Sequence, residues 1–172
     1  MSELRDFKFE RLKKDDETAV CRWLEGHLVE HMTWWSKQIG PAWTTDHIRE
    51  HLREHQLVEK EWQELLEDST KENRFVTIAR EKDRNTTGVV WGSVRTDRYF
   101  RHPRGELNWI CVDPAHRRRG IGMLLMDWAD LWFKGMGVRS RELFATAANR
   151  SAIELYKKRG YQTVDVRMIR GF

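Results

Sequence analysis

The chain has 172 residues, of which 40% are hydrophobic and 34% are charged. This length and composition suit one globular domain with a full hydrophobic core, and they exclude a disordered or fibrous chain. Cys21 and Cys111 belong to no short paired motif, which excludes a disulfide scaffold and a four-cysteine zinc site. We therefore expect a single domain over residues 1–172, in a reducing compartment.

The start of the chain and its hydropathy predict where the protein is found. Residues 1–6 carry charge where a signal peptide needs an apolar run. No stretch of the sequence approaches the roughly 20 consecutive apolar residues that span a bilayer. We expect a soluble, cytoplasmic protein with no membrane partner.

The formal net charge of +4 is unevenly distributed. Residues 113–172 hold 12 Lys and Arg against 6 Asp and Glu, whereas the residues before them hold 19 against 21. The basic half is where an anionic ligand is expected. Its arginines cluster at one turn and form no long stripe with stacking aromatics, so we expect no nucleic-acid partner.

The first half of the chain predicts one strand followed by two helices. Residues 7–11 alternate with a period of two, which indicates a strand. Apolar residues spaced three and four apart predict an amphipathic helix with an aspartate cap that ends before residue 32. After the break at residues 40–41, one charged surface helix is expected from a threonine cap to about residue 68.

The second half predicts strands and helices in alternation. Residues 75–79 and 88–94 indicate a hairpin around a polar turn at residues 83–87. A further strand over residues 106–112 stops at Asp113-Pro114, because proline has no amide hydrogen to donate. The spacing of apolar residues and the positions of glycines predict the remaining elements: a helix from 120 to about 134, a strand at 143–147, a helix at 149–159, and one or two strands over 161–169.

The most informative segment is the turn at residues 113–122, between a strand and an apolar helix. A helix start exposes about four unpaired amide hydrogens and the positive end of the backbone dipole. Gly120 and Gly122 lack the Cβ that would keep a pyrophosphate away from the backbone, and three arginines precede them. The turn therefore indicates an anion site, and the alternative is a solvated basic turn.

Neither common nucleotide motif fits this turn. A dinucleotide fingerprint would need a third glycine at Leu125, and no Lys-Ser/Thr pair follows for a nucleoside triphosphate loop. The anion is therefore expected to be neither NAD nor ATP.

Two motifs resemble those of a known family. Arg117-x-x-Gly120-x-Gly122 resembles Q/R-x-x-G-x-G/A, the acyl-coenzyme A signature of the GCN5-related N-acetyltransferase (GNAT) family. Residues 149–161 resemble that family's second hallmark, N-x-x-A-x-x-x-Y-x-x-x-G-F/Y. The resemblance is best over residues 106–161. It implies a single-domain α/β fold in which helices flank a mixed, mostly antiparallel sheet with splayed central strands.

The resemblance also implies acetyl-CoA as co-substrate and assigns residues to it. The coenzyme pyrophosphate is expected at main-chain amides in and beside the motif of Arg117, namely those of Arg118, Arg119, Gly120, Ile121, Gly122 and Met123. The pantetheine arm is expected to pair with the backbone of Ile110, Cys111 and Val112, and Asn149 is expected to meet the coenzyme through its amide.

Two residues are expected to carry the proton transfers. By resemblance, Tyr156 lies near the thioester sulfur, and a phenol of pKa about 10 can protonate a thiolate of pKa about 8.5. A lysine-like amine must first lose a proton, at a cost of roughly 4.6 kcal/mol at pH 7. Glu106 occupies the position where several family members carry the general base. The alternatives are a core aromatic for Tyr156 and a glutamate paired with Arg104 or solvent for Glu106.

We expect direct transfer of acetyl from acetyl-CoA to an unidentified primary amine, with a backbone amide near Cys111 or Val112 polarising the thioester carbonyl. Cys111 is expected to be a buried, inert thiol, because it lies within an apolar strand. The alternative is a catalytically inactive module that binds or senses acyl-CoA. Family analogy makes a homodimer possible.

Histidines and tryptophans in the first half leave other functions open. Residues 27–31 and 51–55 both read H-x-x-E-H, the inverted zinc-peptidase pattern, and His47 extends the second row. A solvated histidine row explains the pattern without metal, so we expect no metal site. Trp34, Trp35 and Trp43 form either an aromatic wall for a cationic or apolar acceptor or the packing of a loop.

Overall fold

A computed structural model describes residues 7–81 and 85–171. In these residues the strands are β1 (Phe7–Arg11), β2 (Arg74–Glu81), β3 (Thr86–Thr96), β4 (Pro103–Val112) and β5 (Ser140–Leu143). The α-helices are α1 (Glu17–Ile39), α2 (Thr45–Glu54), α3 (Leu57–Asp68), α4 (Ile121–Gly135) and α5 (Arg150–Lys158). The polar turn predicted at residues 83–87 falls partly outside the described residues.

The chain divides into two compact units. The first comprises Met1–Val20 and Gln63–Phe144, and it contains the sheet and α4. The second comprises Cys21–Trp62 and Ala145–Phe172, and it contains α2, α5 and most of α1. Buried apolar side chains of the second unit are Trp23, Leu24, Ile48, Leu52 and Trp62.

The sheet of the first unit has the order β1-β2-β3-β4-β5. The first four strands pair antiparallel, and β5 pairs parallel to β4. This confirms the mixed, mostly antiparallel sheet that the family resemblance implied. The parallel ladder joins only Arg104–Leu107 of β4 to the whole of β5, and β4 then continues to Val112. The two strands therefore part after Leu107.

The amphipathic helix α4 provides the apolar partner of the sheet. Its buried face consists of Ile121, Leu125, Met126, Ala129 and Phe133. Phe75 of β2 lies among the rings of Trp128, Trp132 and Phe133, with centroid distances of 5.1, 4.6 and 5.5 Å. Gly105 of β4 allows this close approach, because a Cβ there would lie 2.7 Å from the Phe133 ring. The packing of α4 thus sets the position of the strand-to-helix turn before it.

A buried carboxylate joins α3 to the sheet within the first unit. Asp68 accepts hydrogen bonds from Lys71 Nζ (2.9 Å), Arg74 Nη1 (2.6 Å) and Trp91 Nε1 (3.0 Å). Its side chain is fully buried, whereas both cations are partly exposed. Burial alone raises the pKa of Asp68, but the bonds and charges of Lys71 and Arg74 outweigh burial and hold the pKa below its ordinary value.

Several predicted helix boundaries are wrong. The first helix does not end before Met32 but continues to Ile39, because nothing before Gly40-Pro41 interrupts its backbone hydrogen bonds. The single charged helix predicted from Thr44 or Thr45 is two helices, α2 and α3. Gln56 separates them with a φ of 51°, and no glycine or proline in the sequence signals this break.

Two strand predictions are also wrong. The strand predicted at residues 143–147 is Ser140–Leu143, because that is the stretch that finds a partner in β4. Residues 161–169 alternate as predicted, but they form no strand in the described part of the chain. Their apolar members Val164, Val166 and Met168 are exposed, so the alternation finds no sheet to pack against.

Substitution of Asp68 by Asn should destabilise the protein by about 2 kcal/mol at pH 7, since it removes a buried charge from a three-donor site. Because the folded pKa is lowered, the stabilisation from Asp68 is present above the unfolded pKa of about 3.9 and disappears as the pH falls through the folded value. Urea unfolding at several pH values measures the difference. Glu64 is exposed on the same helix, so Glu64→Gln is the control. An equal effect of both substitutions would contradict the prediction.

Candidate active site

The candidate site begins where β4 ends. The Asp113 amide donates to the Thr87 carbonyl oxygen of β3 (2.9 Å), which is the last rung of that ladder. The Asp113 carboxylate accepts a hydrogen bond from the Ala115 amide (2.8 Å) and so caps a 3₁₀ turn over Pro114–His116. As predicted, the Asp-Pro pair stops the strand and turns the chain toward α4.

The turn over residues 113–122, which we call the glycine turn, presents a row of main-chain donors. Arg118 and Gly120 have φ values of 64° and 80°, and Gly120 is the N-cap of α4. The Gly120 carbonyl oxygen accepts hydrogen bonds from the amides of Met123 (3.0 Å) and Leu124 (3.1 Å). The amides of residues 118–122 have no hydrogen-bond partner among the described residues. Five of the six predicted donors are thus available, while that of Met123 is engaged in the helix.

The three arginines of the turn differ in their partners. Arg119 forms an ion pair with Glu81, and Arg117 donates from Nε to the Val112 carbonyl oxygen (3.3 Å). Arg118 is exposed and forms no ion pair within the described part of the chain. The turn therefore retains positive charge beside its free amides, which is the environment that favours an anion at a helix N-terminus.

The backbone of β4 alternates between its two edges. Because Thr87 and Asp113 form a hydrogen-bonded pair, the opposed pairs Gly88–Val112 and Val90–Ile110 are of the non-hydrogen-bonded kind. The main-chain groups of Ile110 and Val112 therefore point away from β3, beyond the point where β5 pairs with β4. The Cys111 carbonyl oxygen instead faces Gly88 of β3. Two of the three residues predicted to pair with the pantetheine arm have the required orientation.

Cys111 differs from the prediction in a second respect. Its thiol is half-buried rather than buried, so burial alone does not account for an inert side chain. Its Sγ lies 3.9 Å from the Val112 carbonyl oxygen.

Glu106 belongs to an ion network that sequence reasoning missed. Its Oε2 lies 3.7 Å from Arg95 Nε, and its side chain is 21% exposed. Arg95 also binds Glu142, which stands directly beside Glu106 in the parallel register. The expected alternative partner, Arg104, instead binds Glu142 (3.0 Å) and Asp97 (2.6 Å). Arg95 and Glu142 come near Glu106 only through strand pairing, so nothing in the local sequence marks them.

The second hallmark motif lies in the second unit. Asn149 is the N-cap of α5, and its side-chain oxygen accepts from the Ala152 amide (3.2 Å). Tyr156 is half-buried, with its ring edge-on to that of Tyr161 at 6.0 Å. Burial, reinforced by the neighbouring Tyr161, raises the pKa of Tyr156 to about 12. Its phenol is thus held in the protonated form throughout the neutral range.

The histidines and tryptophans of the second unit are engaged in ring packing. Trp43 packs on His47 and His51, with centroids at 4.6 and 5.1 Å. The guanidinium of Arg167 lies 4.9 Å from the centroid of the Trp35 ring, so a cation of the chain already covers that ring. This contact favours packing over an open wall for Trp35.

The first histidine pair is in contact with other side chains of the second unit. His31 Nδ1 lies 3.0 Å from Thr146 Oγ1, and the centroids of the His27 and His31 rings are 6.0 Å apart. Burial lowers the pKa of both imidazoles, with further contributions from His31 at His27 and from Arg167 at His31. Across residues 7–81 and 85–171, no group of three or more metal-ligating side chains is placed to hold an ion.

The mixed sheet, the parting of β4 from β5 and the glycine turn before α4 define an acetyltransferase-type α/β fold. The solved structure of a Pyrococcus furiosus protein shares this fold, with a TM-score of 0.68 and 18% identity over 96% of this chain and 99% of that chain. The model of the Acetyltransferase (GNAT) family matches residues 32–161. The chain therefore belongs to the GNAT family, whose co-substrate is acetyl-CoA.

Two curated relatives match shorter stretches. The chain is 29% identical over 87 residues to a mycothiol acetyltransferase of Propionibacterium freudenreichii subsp. shermanii, which covers 51% of this chain. It is 41% identical over 61 residues to an uncharacterized N-acetyltransferase of Methanocaldococcus jannaschii, which covers 36% of this chain. In each case the match spans only 27% of the relative's length.

The raised pKa of Tyr156 can be measured by tyrosinate absorbance. The difference in tyrosinate absorbance between the wild-type protein and Tyr156→Phe should stay constant until the pH approaches about 12, because burial disfavours the phenolate. N-acetyl-tyrosinamide, which titrates near pH 10, serves as the reference. A difference signal with its midpoint at the reference value would show that the phenol is solvated.

Proposed function

We propose that this protein is an N-acetyltransferase that moves acetyl from acetyl-CoA to a primary amine by direct attack. The observation that carries the proposal is a set of main-chain groups at the end of β4 and in the turn that follows it. The outward edge of β4 at Ile110 and Val112 leads into a turn whose amides at residues 118–122 are available. Acetyl-CoA has the complementary chemistry, because its pantetheine arm contains amides and its far end carries a pyrophosphate.

In the proposed reaction, the amine nitrogen forms a bond to the thioester carbonyl carbon, and the carbon–sulfur bond breaks. An outward-facing amide of β4 polarises the carbonyl oxygen as it gains negative charge. Glu106 takes the amine proton, directly or through water, and Tyr156 donates a hydrogen bond to the departing sulfur. No acyl group is transferred to Cys111.

The surroundings of Tyr156 refine its role. With a pKa of about 12, the phenol is a weaker acid than the ordinary tyrosine assumed from sequence. The gap to a free thiolate of pKa about 8.5 then widens, so full proton transfer becomes less favourable. We propose that Tyr156 acts chiefly as a fixed hydrogen-bond donor, which stabilises the developing thiolate while staying protonated.

A second candidate function is an acyl-CoA binding module without turnover. The observation that favours it is the Arg95 guanidinium 3.7 Å from Glu106, because a cation of the chain then stands where an amine would have to approach the carboxylate. Both candidates require coenzyme binding, and only the enzyme releases free coenzyme A in the presence of an amine. A panel of amines, assayed for thiol release, separates the two.

Binding of acetyl-CoA should depend on the glycine turn. Calorimetry should show 1:1 binding to the wild-type protein. Gly122→Val should weaken it at least about tenfold, since a branched side chain in the first turn of α4 obstructs the amides while the helix tolerates it. Gly135→Val, at the other end of the same helix and with open space around its Cβ, is the matched control. Absence of heat with folded wild-type protein would refute the proposal.

Turnover should separate the roles of Tyr156 and Cys111. Tyr156→Phe should lower kcat by about 100-fold and leave the Kd for acetyl-CoA unchanged, because the phenol acts on the leaving group rather than on binding. Cys111→Ala should retain most of the activity. The control for tyrosine loss is Tyr99→Phe, at an exposed position. Loss of all activity in a folded Cys111→Ala variant would indicate an acyl-enzyme intermediate instead.

A further inference from the structure

The end of the β3–β4 hairpin, residues 97–102, is a hydrogen-bonded turn built around one carboxylate. Asp97 Oδ1 accepts hydrogen bonds from the amides of Tyr99 (2.8 Å) and Phe100 (2.6 Å). The backbone closes the turn with bonds from the Asp97 amide to His102 O (2.8 Å) and from the Arg101 amide to Asp97 O (3.1 Å). We call residues 97–102 the hairpin tip. Its conformation is held by its own hydrogen bonds.

The hairpin tip displays two adjacent aromatic side chains. Tyr99 is 81% exposed and Phe100 is 70% exposed. One exposed apolar residue is ordinary on a protein surface, but two neighbouring rings on a hydrogen-bonded turn are costly to hold in water. The Phe100 ring stacks on His102 (5.9 Å between centroids, 16° between planes), and the Arg98 guanidinium lies 5.9 Å from the centroid of the Tyr99 ring. The rings are thus held in place on the outside of the turn.

The hairpin tip is also cationic. Its single carboxylate, Asp97, is buried and paired with Arg104 at 2.6 Å. Arg98 and Arg101 are exposed and form no ion pair within residues 7–81 and 85–171. Two uncompensated positive charges therefore flank the two rings.

The backbone at Arg101 provides a second, independent observation. Its φ of 56° lies in the left-handed region, where glycine or asparagine is favoured over a residue with a long side chain. Local strain of this kind is typical of functional positions. The turn carries a cation where a glycine would be less strained, so the charge at this position needs an explanation other than folding.

We propose that the hairpin tip docks on an anionic lipid surface. The rings of Tyr99 and Phe100 enter the boundary between headgroups and acyl chains, where amphipathic and aromatic side chains are stable. Arg98 and Arg101 remain at the level of the headgroup phosphates. The proposal is independent of the transferase reaction, because it uses none of the residues assigned to acetyl-CoA or to proton transfer.

A lipid surface fits the hairpin tip better than a nucleic acid does. Proteins that bind single strands stack several successive bases in a charged groove. Here the two rings lie at the end of a hairpin. The Tyr99 ring is already in contact with Arg98, and the Phe100 ring with His102. A bilayer surface needs no groove and receives a projecting turn.

Docking of this kind also changes the sequence-based expectation of no membrane partner. That expectation rested on the lack of a spanning segment, and no helix in the described part of the chain is long and apolar enough to cross a bilayer. Contact with the surface of a bilayer requires no such helix.

The test is sedimentation of the full chain with sucrose-loaded vesicles of phosphatidylcholine alone and of equal parts phosphatidylcholine and phosphatidylglycerol. Wild-type protein should partition at least tenfold better onto the anionic vesicles, and high salt should weaken the binding. Arg98→Gln with Arg101→Gln should lower the partition coefficient by roughly 25-fold, at about fivefold for each charge. Tyr99→Ser with Phe100→Ser should reduce it at least tenfold, because the apolar contact is lost.

Leu131→Ser, which removes an exposed apolar side chain of α4, is the matched control and should bind like the wild type. Thermal melting shows whether each variant is folded. If the aromatic variant unfolds, the arginine variant still decides the outcome. Equal binding to both vesicle types would overturn the proposal, as would wild-type binding by the folded arginine variant. Binding of an oligothymidylate of about 20 nucleotides through the same residues, without vesicle binding, would favour the nucleic-acid alternative and also overturn it.

Discussion

The architecture of the site depends on the short parallel ladder between β4 and β5. Four residue pairs join the strands and end at Leu107, while the antiparallel ladder with β3 continues to Asp113. The last part of β4 is therefore paired along one edge, and within residues 7–81 and 85–171 no strand pairs with its other edge, where Arg117 Nε donates to the Val112 carbonyl oxygen. Because strand residues alternate between edges, Ile110 and Val112 present their main chain outward. A co-substrate with amide groups can add to this edge as a strand does, and the glycine turn follows directly.

Three aspartates fix the conformation of loops and helix ends around the sheet in the first unit. Asp113 caps the turn before the arginines, Asp97 holds the hairpin tip, and Asp68 ties α3 to β2 and β3. Asp113 and Asp97 accept hydrogen bonds from main-chain amides of their turns, whereas Asp68 accepts them from three side chains. None of these aspartates pairs with Arg118, Arg98 or Arg101, which are exposed and form no ion pair within residues 7–81 and 85–171.

The two side chains proposed to act in the reaction, Tyr156 and Glu106, are instead constrained by their surroundings. Tyr156 is held protonated by burial, and the Glu106 carboxylate lies beside a cation. In the proposed reaction, a protonated amine would compete with Arg95 for the Glu106 carboxylate.

The sequence by itself determined the features encoded in contiguous residues: the family motifs, the Asp113-Pro114 stop, the Gly120 turn, the α4 stripe and the short helix that follows Asn149. Each depends on local hydrogen bonding or on a fixed period, which short sequence windows contain. Tertiary structure alone decided where β5 pairs, the break at Gln56, the missing final strand and the Arg95 partner of Glu106. These depend on which distant edge or charge comes alongside, and sequence spacing carries no record of that choice.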